Sequence, residues 1–259
     1  MRLLSQIYFR FLILGFCITV SFLLFAWPAY YQLLIPNNFS RPEALNGNNL
    51  SKGTLSLTFD DGPSRRTLEL AQYLHNENIQ ATFFEIGKRI SGHEEQLVEI
   101  NRLGHLIGNH TWTHPDLSHS LFCLWNSNTK EILQTDQKIK SFVDPGRLLF
   151  RPPFGRWNHC LMEALHQKSL EQYVGPIVWN IDGQDWECWS HPNRSISKCG
   201  YQYLNLINKK GSGIVLMHDS IDQTTDMVKW LIPRLKKQGY KFVRLDDVPD
   251  IKNALAQKH

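Results

Sequence analysis

TLSLTFDDGP, residues 54–63, runs from alternating threonine, leucine, serine and phenylalanine straight into two aspartates, a glycine and a proline. The β-branched and large apolar side chains at 54–59 suit a buried strand, and Asp, Gly and Pro are the residues that turn a chain at its end. Taken alone, the aspartate pair is only a turn after a strand. Short runs of the same kind recur at 81–86, 105–109, 148–150, 177–181, 213–217 and 241–245, so seven strands are expected. Amphipathic stretches lie between them, at 65–76, 94–103, 129–142, 159–168, 202–209 and 226–237, with Gly104 and Gly239 as helix stops. Such alternation predicts an α/β domain: a mostly parallel sheet with helices outside it, closed into a barrel or left open.

The polar residues with chemistry follow the expected strands at their carboxyl ends. Asp60 and Asp61 follow the first strand, His110 the third, Arg151 the fourth, Asp182 and Asp185 the fifth, and His218 the sixth. In a βα barrel that end carries the active site. His110 and His114, in HTWTHP, stand four apart, so one helical turn would set both rings on one side. That spacing holds a divalent metal, and it also occurs in ordinary helices. Two histidines and a carboxylate supply three ligands and leave a metal open to water and substrate. An arginine, several carboxylates and three imidazoles at one barrel mouth must pair with one another or with a metal, because unpaired buried charge is costly.

Five motifs in order, TFDDGP, HTWTHP, RPPFG, DGQDW and VLMHD, resemble those of the polysaccharide deacetylase family, the carbohydrate esterase family 4 enzymes with a NodB homology domain. The likeness runs over nearly all of 53–245 and includes ATFFEIG and GHLIGNHTWTH. It implies a distorted (β/α)7 barrel in which Asp61, His110 and His114 bind a divalent metal, usually Zn2+ and sometimes Co2+. It further implies that Asp60 is the general base, that Arg151 holds Asp60, and that Asp185 pairs with His218, the general acid. Trp186 and Leu216 would receive the acetyl methyl, and the backbone N–H of Phe154 would face the oxyanion. Phe154 stands where the family more often has tyrosine, and the stretch 187–200, with Trp189 and two cysteines, is longer than a minimal member needs. The implied reaction is hydrolysis of an N-acetyl group on a polysaccharide, first of all peptidoglycan N-acetylglucosamine. Chitin oligosaccharides, an exopolysaccharide or the O-acetyl groups of xylan would use the same groups. An inactive glycan-binding barrel is the reading from a different class; it would be marked by loss of a ligand or of the base, and none is missing.

The beginning of the 259-residue chain is of another composition. No charged side chain lies between Arg10 and Arg41, and 11–35 is almost wholly apolar, long enough for a helix to cross a bilayer. Arg2 and Arg10 vote for a cytoplasmic start, and Trp27, Tyr30 and Tyr31 fit an aromatic belt at the far surface. A cleaved signal peptide competes, but FAWPAYYQ lacks the small residues of a cleavage site. The expectation is one transmembrane helix in 1–40, a linker over 41–52 and a catalytic domain over 53–259, on the outer side of a bacterial inner membrane. The last stretch is enough for one sizeable core and too little for two. A net charge of +4, spread along the chain, gives no support to nucleic-acid binding. The expected partners are the membrane, through that helix, and an acetylated polysaccharide. Cys17 lies in the anchor, which leaves Cys123, Cys160, Cys188 and Cys199 in a domain facing an oxidising compartment. Cys188 and Cys199 could close a loop, or with His191 contribute to a zinc site.

Overall fold

The computed structural model describes residues 44–119, 127–191 and 194–258, so the expected anchor and Cys123 lie outside the described residues. Among the described residues no helix is long and apolar enough to cross a membrane.

The strand β1 (Thr54–Gly62) is buried on both faces, with Leu55, Leu57 and Phe59 on one and Ser56, Thr58 and Asp60 on the other. Only a central strand of a covered parallel sheet is buried in this way. Its neighbours are β2 (Thr82–Glu85), β3 (Leu106–Asn109), β4 (Ile181–Asp182), β5 (Gly213–His218) and β6 (Lys241–Phe242). The order is β3-β2-β1-β5-β4, with β6 pairing the start of β1, and every pairing is parallel.

Six strands form among the described residues, where the sequence suggests seven. The missing one, 148–150, makes single bridges, Asn109↔Phe150 and Leu149↔Val174. Its cause is local: Pro152 and Pro153 follow at once and have no N–H to extend a ladder. The expected strand over 177–181 is likewise reduced to β4, which pairs Ile181 with Val215 and Asp182 with Leu216. The segment 174–182 bonds at its start to 148–150 (Phe150 N–H to Val174 O, 2.9 Å) and at its end to β5. Bridges rather than a ladder therefore link the two edges of the sheet.

Eight helices lie among the described residues: α1 (Thr67–Asn76), α2 (Glu94–Arg102), α3 (Ser127–Ile139), α4 (His159–Leu165), α5 (Asp185–Ser190), α6 (Ile196–Lys210), α7 (Asp222–Lys237) and α8 (Pro249–Ala256). Leu55, Leu57 and Phe59 join Leu70 and Leu74 of α1, Leu97 and Ile100 of α2, and Val228 and Leu231 of α7 in the main core. Each such side chain contributes about 1.5–3 kcal/mol by leaving water. A second core holds Phe84, Leu149, Ile177 and Ile214. Gly104 and Gly239, at φ 87° and 85°, follow the last residues of α2 and α7 in the left-handed region that ends a helix.

Two sequence expectations need correction. The segment that Cys188 and Cys199 were expected to bracket as a loop is helical at both ends: residues up to 190 finish α5, and 196–200 open α6, whose cap is Ser195 Oγ accepting from Lys198 N–H. A Cys188–Cys199 disulfide joins the two helices, with Cα atoms 6.0 Å apart, which removes the alternative zinc site with His191. The described part of the expected linker is docked, since Leu45 N–H bonds Pro176 O, Gly47 N–H bonds Asn180 Oδ1, and Leu50 is buried in the second core. The compact unit accordingly begins at residue 43.

Candidate active site

At the carboxyl end of β1 the backbone enters the left-handed region at Asp61, φ 73°, which costs a non-glycine residue on the order of 1–3 kcal/mol. The consecutive aspartates thereby serve two different partners. Asp60 is buried and its Oδ1 receives Arg151 Nη1–H at 2.7 Å. Arg151, itself fully buried, also donates to Thr58 Oγ1 at 2.8 Å and to Ile177 O at 3.3 Å, and its guanidinium lies 4.2 Å from the Phe84 ring centre. The pair is thus held from three segments of chain, and Asp60 Oδ2 is left facing His110 Nε2 at 3.6 Å.

Asp61 Oδ1 lies 3.5 Å from His110 Nε2 and 3.2 Å from His114 Nε2, buried and with no hydrogen bond of its own. The expectation that one helical turn sets the two rings side by side is wrong. The segment is a turn in which Thr111 (φ 70°) and His114 (φ 61°) are both left-handed, and it brings the ring centres to 5.0 Å. What shapes it is Glu131 of α3, which accepts Trp112 N–H at 3.0 Å and Thr113 N–H at 2.8 Å. Sequence reading missed Glu131, because nothing in its spacing from 110–114 marks it.

These three residues fit a divalent cation. Their ligand atoms all lie within 4.8 Å of one another. His110 Nδ1 is 2.8 Å from Arg151 O, and a carbonyl can only accept, so the proton sits on Nδ1 and Nε2 carries the lone pair. Burial holds the His114 imidazole below its ordinary value, with His110 beside it adding to the effect, which keeps the ring neutral and able to ligate. Burial alone would raise the Asp61 carboxyl, yet the surrounding imidazoles drive it well below the usual range.

Across the cleft, His218 Nδ1 bonds Asp185 Oδ1 at 2.7 Å, and Asp185 Oδ2 accepts both His218 N–H and Thr224 Oγ1–H at 2.8 Å. Burial works against the imidazolium, but the Asp185 carboxylate outweighs it and His218 is pushed up to about 9. Trp186, half-exposed, and Leu216 line the same cleft of about 350 Å³ as His218 and the cation-fitting residues. Phe154, at φ 59°, presents its ring edge-on to His114 at 4.6 Å, and among the described residues its backbone N–H has no acceptor. All ten residues to which the family resemblance gives a role thus converge, eight on the cleft wall and Arg151 and Asp185 directly behind it. The wall also includes Trp179, Asp182 and Ile221.

A parallel α/β scaffold with a two-histidine, one-aspartate cluster flanked by an Arg–Asp pair and a His–Asp pair defines the class: an α/β fold with a candidate metal site at the carboxyl end of its sheet. The family model described as "Polysaccharide deacetylase" matches residues 47–173. The chain belongs to the polysaccharide deacetylase family. It is 29% identical over 203 residues to a peptidoglycan-N-acetylglucosamine deacetylase of Listeria monocytogenes, covering 75% of this chain and 38% of that protein. It is 33% identical over 177 residues to chitin deacetylase 2 of Saccharomyces cerevisiae, covering 67% of this chain and 52% of the yeast protein. Among solved structures, the chitin deacetylase from Colletotrichum lindemuthianum superposes with a TM-score of 0.65 at 26% identity, over 77% of this chain and 88% of that one. The chain spans little more than a third of the Listeria protein's length, 38%.

Proposed function

We propose that the chain is a metal-dependent hydrolase that removes N-acetyl groups from N-acetylglucosamine residues of peptidoglycan. In this reading a helix within 1–40 anchors it in a bacterial inner membrane, with the barrel on the outer side. The observation that carries the reaction is the geometry of one cleft: a base held by an arginine on one side, an acid held by an aspartate on the other, and a cation-fitting triad between them.

An amide is a poor electrophile and an amine a poor leaving group, so the site must activate water, stabilise an oxyanion and deliver a proton. A divalent cation, Zn2+ or Co2+, held by Asp61, His110 and His114 would supply Lewis acidity, lowering the pKa of water and polarising the acetyl carbonyl. Asp60 takes the proton from the attacking water, and Arg151 holds its carboxylate in place. The free N–H of Phe154 is an oriented donor for the developing oxyanion. His218, its Nδ1 committed to Asp185, offers Nε2 to the departing nitrogen. Trp186 and Leu216 enclose the methyl group.

Peptidoglycan is favoured because the Listeria relative is named for it and because an outward-facing anchor would put the barrel beside that polymer. Chitin, named for the yeast relative, and an N-acetylated exopolysaccharide would use the same groups. The inactive-barrel reading gains nothing from the geometry, since candidate ligands, base and acid line one cleft. Mass spectrometry of digested sacculi from cells lacking or overproducing the chain tests the polymer: glucosamine content should fall and rise accordingly. Unchanged content in both would refute the peptidoglycan reading.

A further inference from the structure

Three of the four aspartates at the cleft face groups already described. Asp60 is bonded to Arg151, Asp61 faces two imidazoles, and Asp185 divides its oxygens between His218 and Thr224. Asp182 ends β4 and lines the cleft. It pairs in register with Leu216, which puts its side chain on the sheet face that carries Leu216 and, two residues further, His218. Its Oδ1 accepts Gln184 N–H at 2.7 Å, which fixes the carboxylate plane. Its Oδ2 has no protein partner among the described residues and is not closed off from the cleft.

A pinned carboxylate with one open oxygen, beside the group that faces the acetamido nitrogen, is a one-sided acceptor. We propose that Asp182 reads the sugar: Oδ2 accepts a hydrogen bond from the ring hydroxyl next to the acetamido group, so that the cleft takes N-acetylated hexoses rather than acetyl groups on any carrier. The inference rests on the deacetylase reading of the cleft. Burial raises the Asp182 carboxyl, with the Gln184 N–H and the nearby His218 acting against that shift.

The position also predicts how substitution acts. In Asp182→Asn the Gln184 N–H still demands an oxygen, so the amide turns its NH2 into the cleft and replaces an acceptor by a donor. Asp182→Ala removes the acceptor without adding a donor. The test uses the purified full chain, zinc-loaded and carrying Asp60→Asn to prevent turnover, with binding followed by calorimetry. Two probes are compared: the N-acetylglucosamine pentamer, and acetohydroxamate, which fits a metal and an acetyl pocket but has no ring hydroxyl. Both variants should weaken the pentamer roughly 10- to 100-fold, the loss of one hydrogen bond to a charged group, with acetohydroxamate binding and zinc content unchanged. Equal weakening of both probes points to a structural role and overturns the proposal, as does pentamer binding equal to that of the parent, or a parent that does not bind the pentamer. Failure of the deacetylase reading is seen separately, as no acetate release from the pentamer by the chain with Asp60 intact.

Discussion

His218 shows how a single side chain is set for its task. Its pKa in the folded chain, about 9, lies above the ordinary imidazole value of 6.5, so the Asp185–His218 pair adds stability that is fully present below about 6.5 and is lost as pH rises through about 9. In the proposed reaction the same shift would keep the acid loaded, and the basic limb of the pH–rate profile should lie above the ordinary imidazole range. Asp185→Asn should move that limb down by roughly 1–3 units, read from kcat/KM against pH. An unmoved limb would assign it to another group. Arg151 makes a second claim at this scale. Its removal leaves Asp60 buried and uncompensated, so Arg151→Met should cost about 3–5 kcal/mol in denaturant unfolding as well as activity. The residues proposed to carry the chemistry stood out in sequence because most follow expected strands and because five ordered motifs resemble the family's. Glu131 and Trp179 did not, since their roles depend on which helix and which bridge segment come to lie against the cleft.

The elements explain what sequence reading misplaced. Helical spacing in HTWTHP suggested a helix, but Asn109 Oδ1 bonding Thr111 N–H and Glu131 gripping the next two N–H groups favour a turn with two left-handed residues. Side-chain acceptors satisfying backbone donors outcompete helix formation here. Glu131→Ala should therefore leave the fold intact and weaken zinc binding about 10- to 100-fold, as loss of the support behind metal ligands does elsewhere. Zinc affinity equal to that of the parent would show that the turn holds without it. In α5, one short helix carries Asp185 and Trp186 and is clipped to α6 by Cys188–Cys199. Its sequence, DWECWS, is too short for periodicity to reveal. Replacing both cysteines by serine removes a closed loop worth roughly 3 kcal/mol, which for a domain of this size lowers Tm by about 6–12 °C. KM should rise with it if α5 loosens, and an unchanged Tm would show that packing alone holds the helix.

At the scale of the whole molecule, the alternation of strands and helices was readable, and so was the end of the sheet that carries the site. Closure was not: prolines at 152, 153 and 176 turn two expected strands into bridges, and a strand count taken from apolar runs cannot register that. Nor could composition reveal that 44–52, polar and asparagine-rich, docks on the domain through Leu45 and Leu50. The account's central claim is that this scaffold performs metal-dependent deacetylation with Asp60 as base. It is tested most directly by acetate release from N-acetylglucosamine oligomers by the purified chain, before and after chelation and in Asp60→Asn. Release should be abolished by chelation, restored by Zn2+ or Co2+, and reduced at least about 10²-fold in the variant. Release that persists after complete metal removal, or a metal-loaded chain inert on every acetylated glycan, would contradict it.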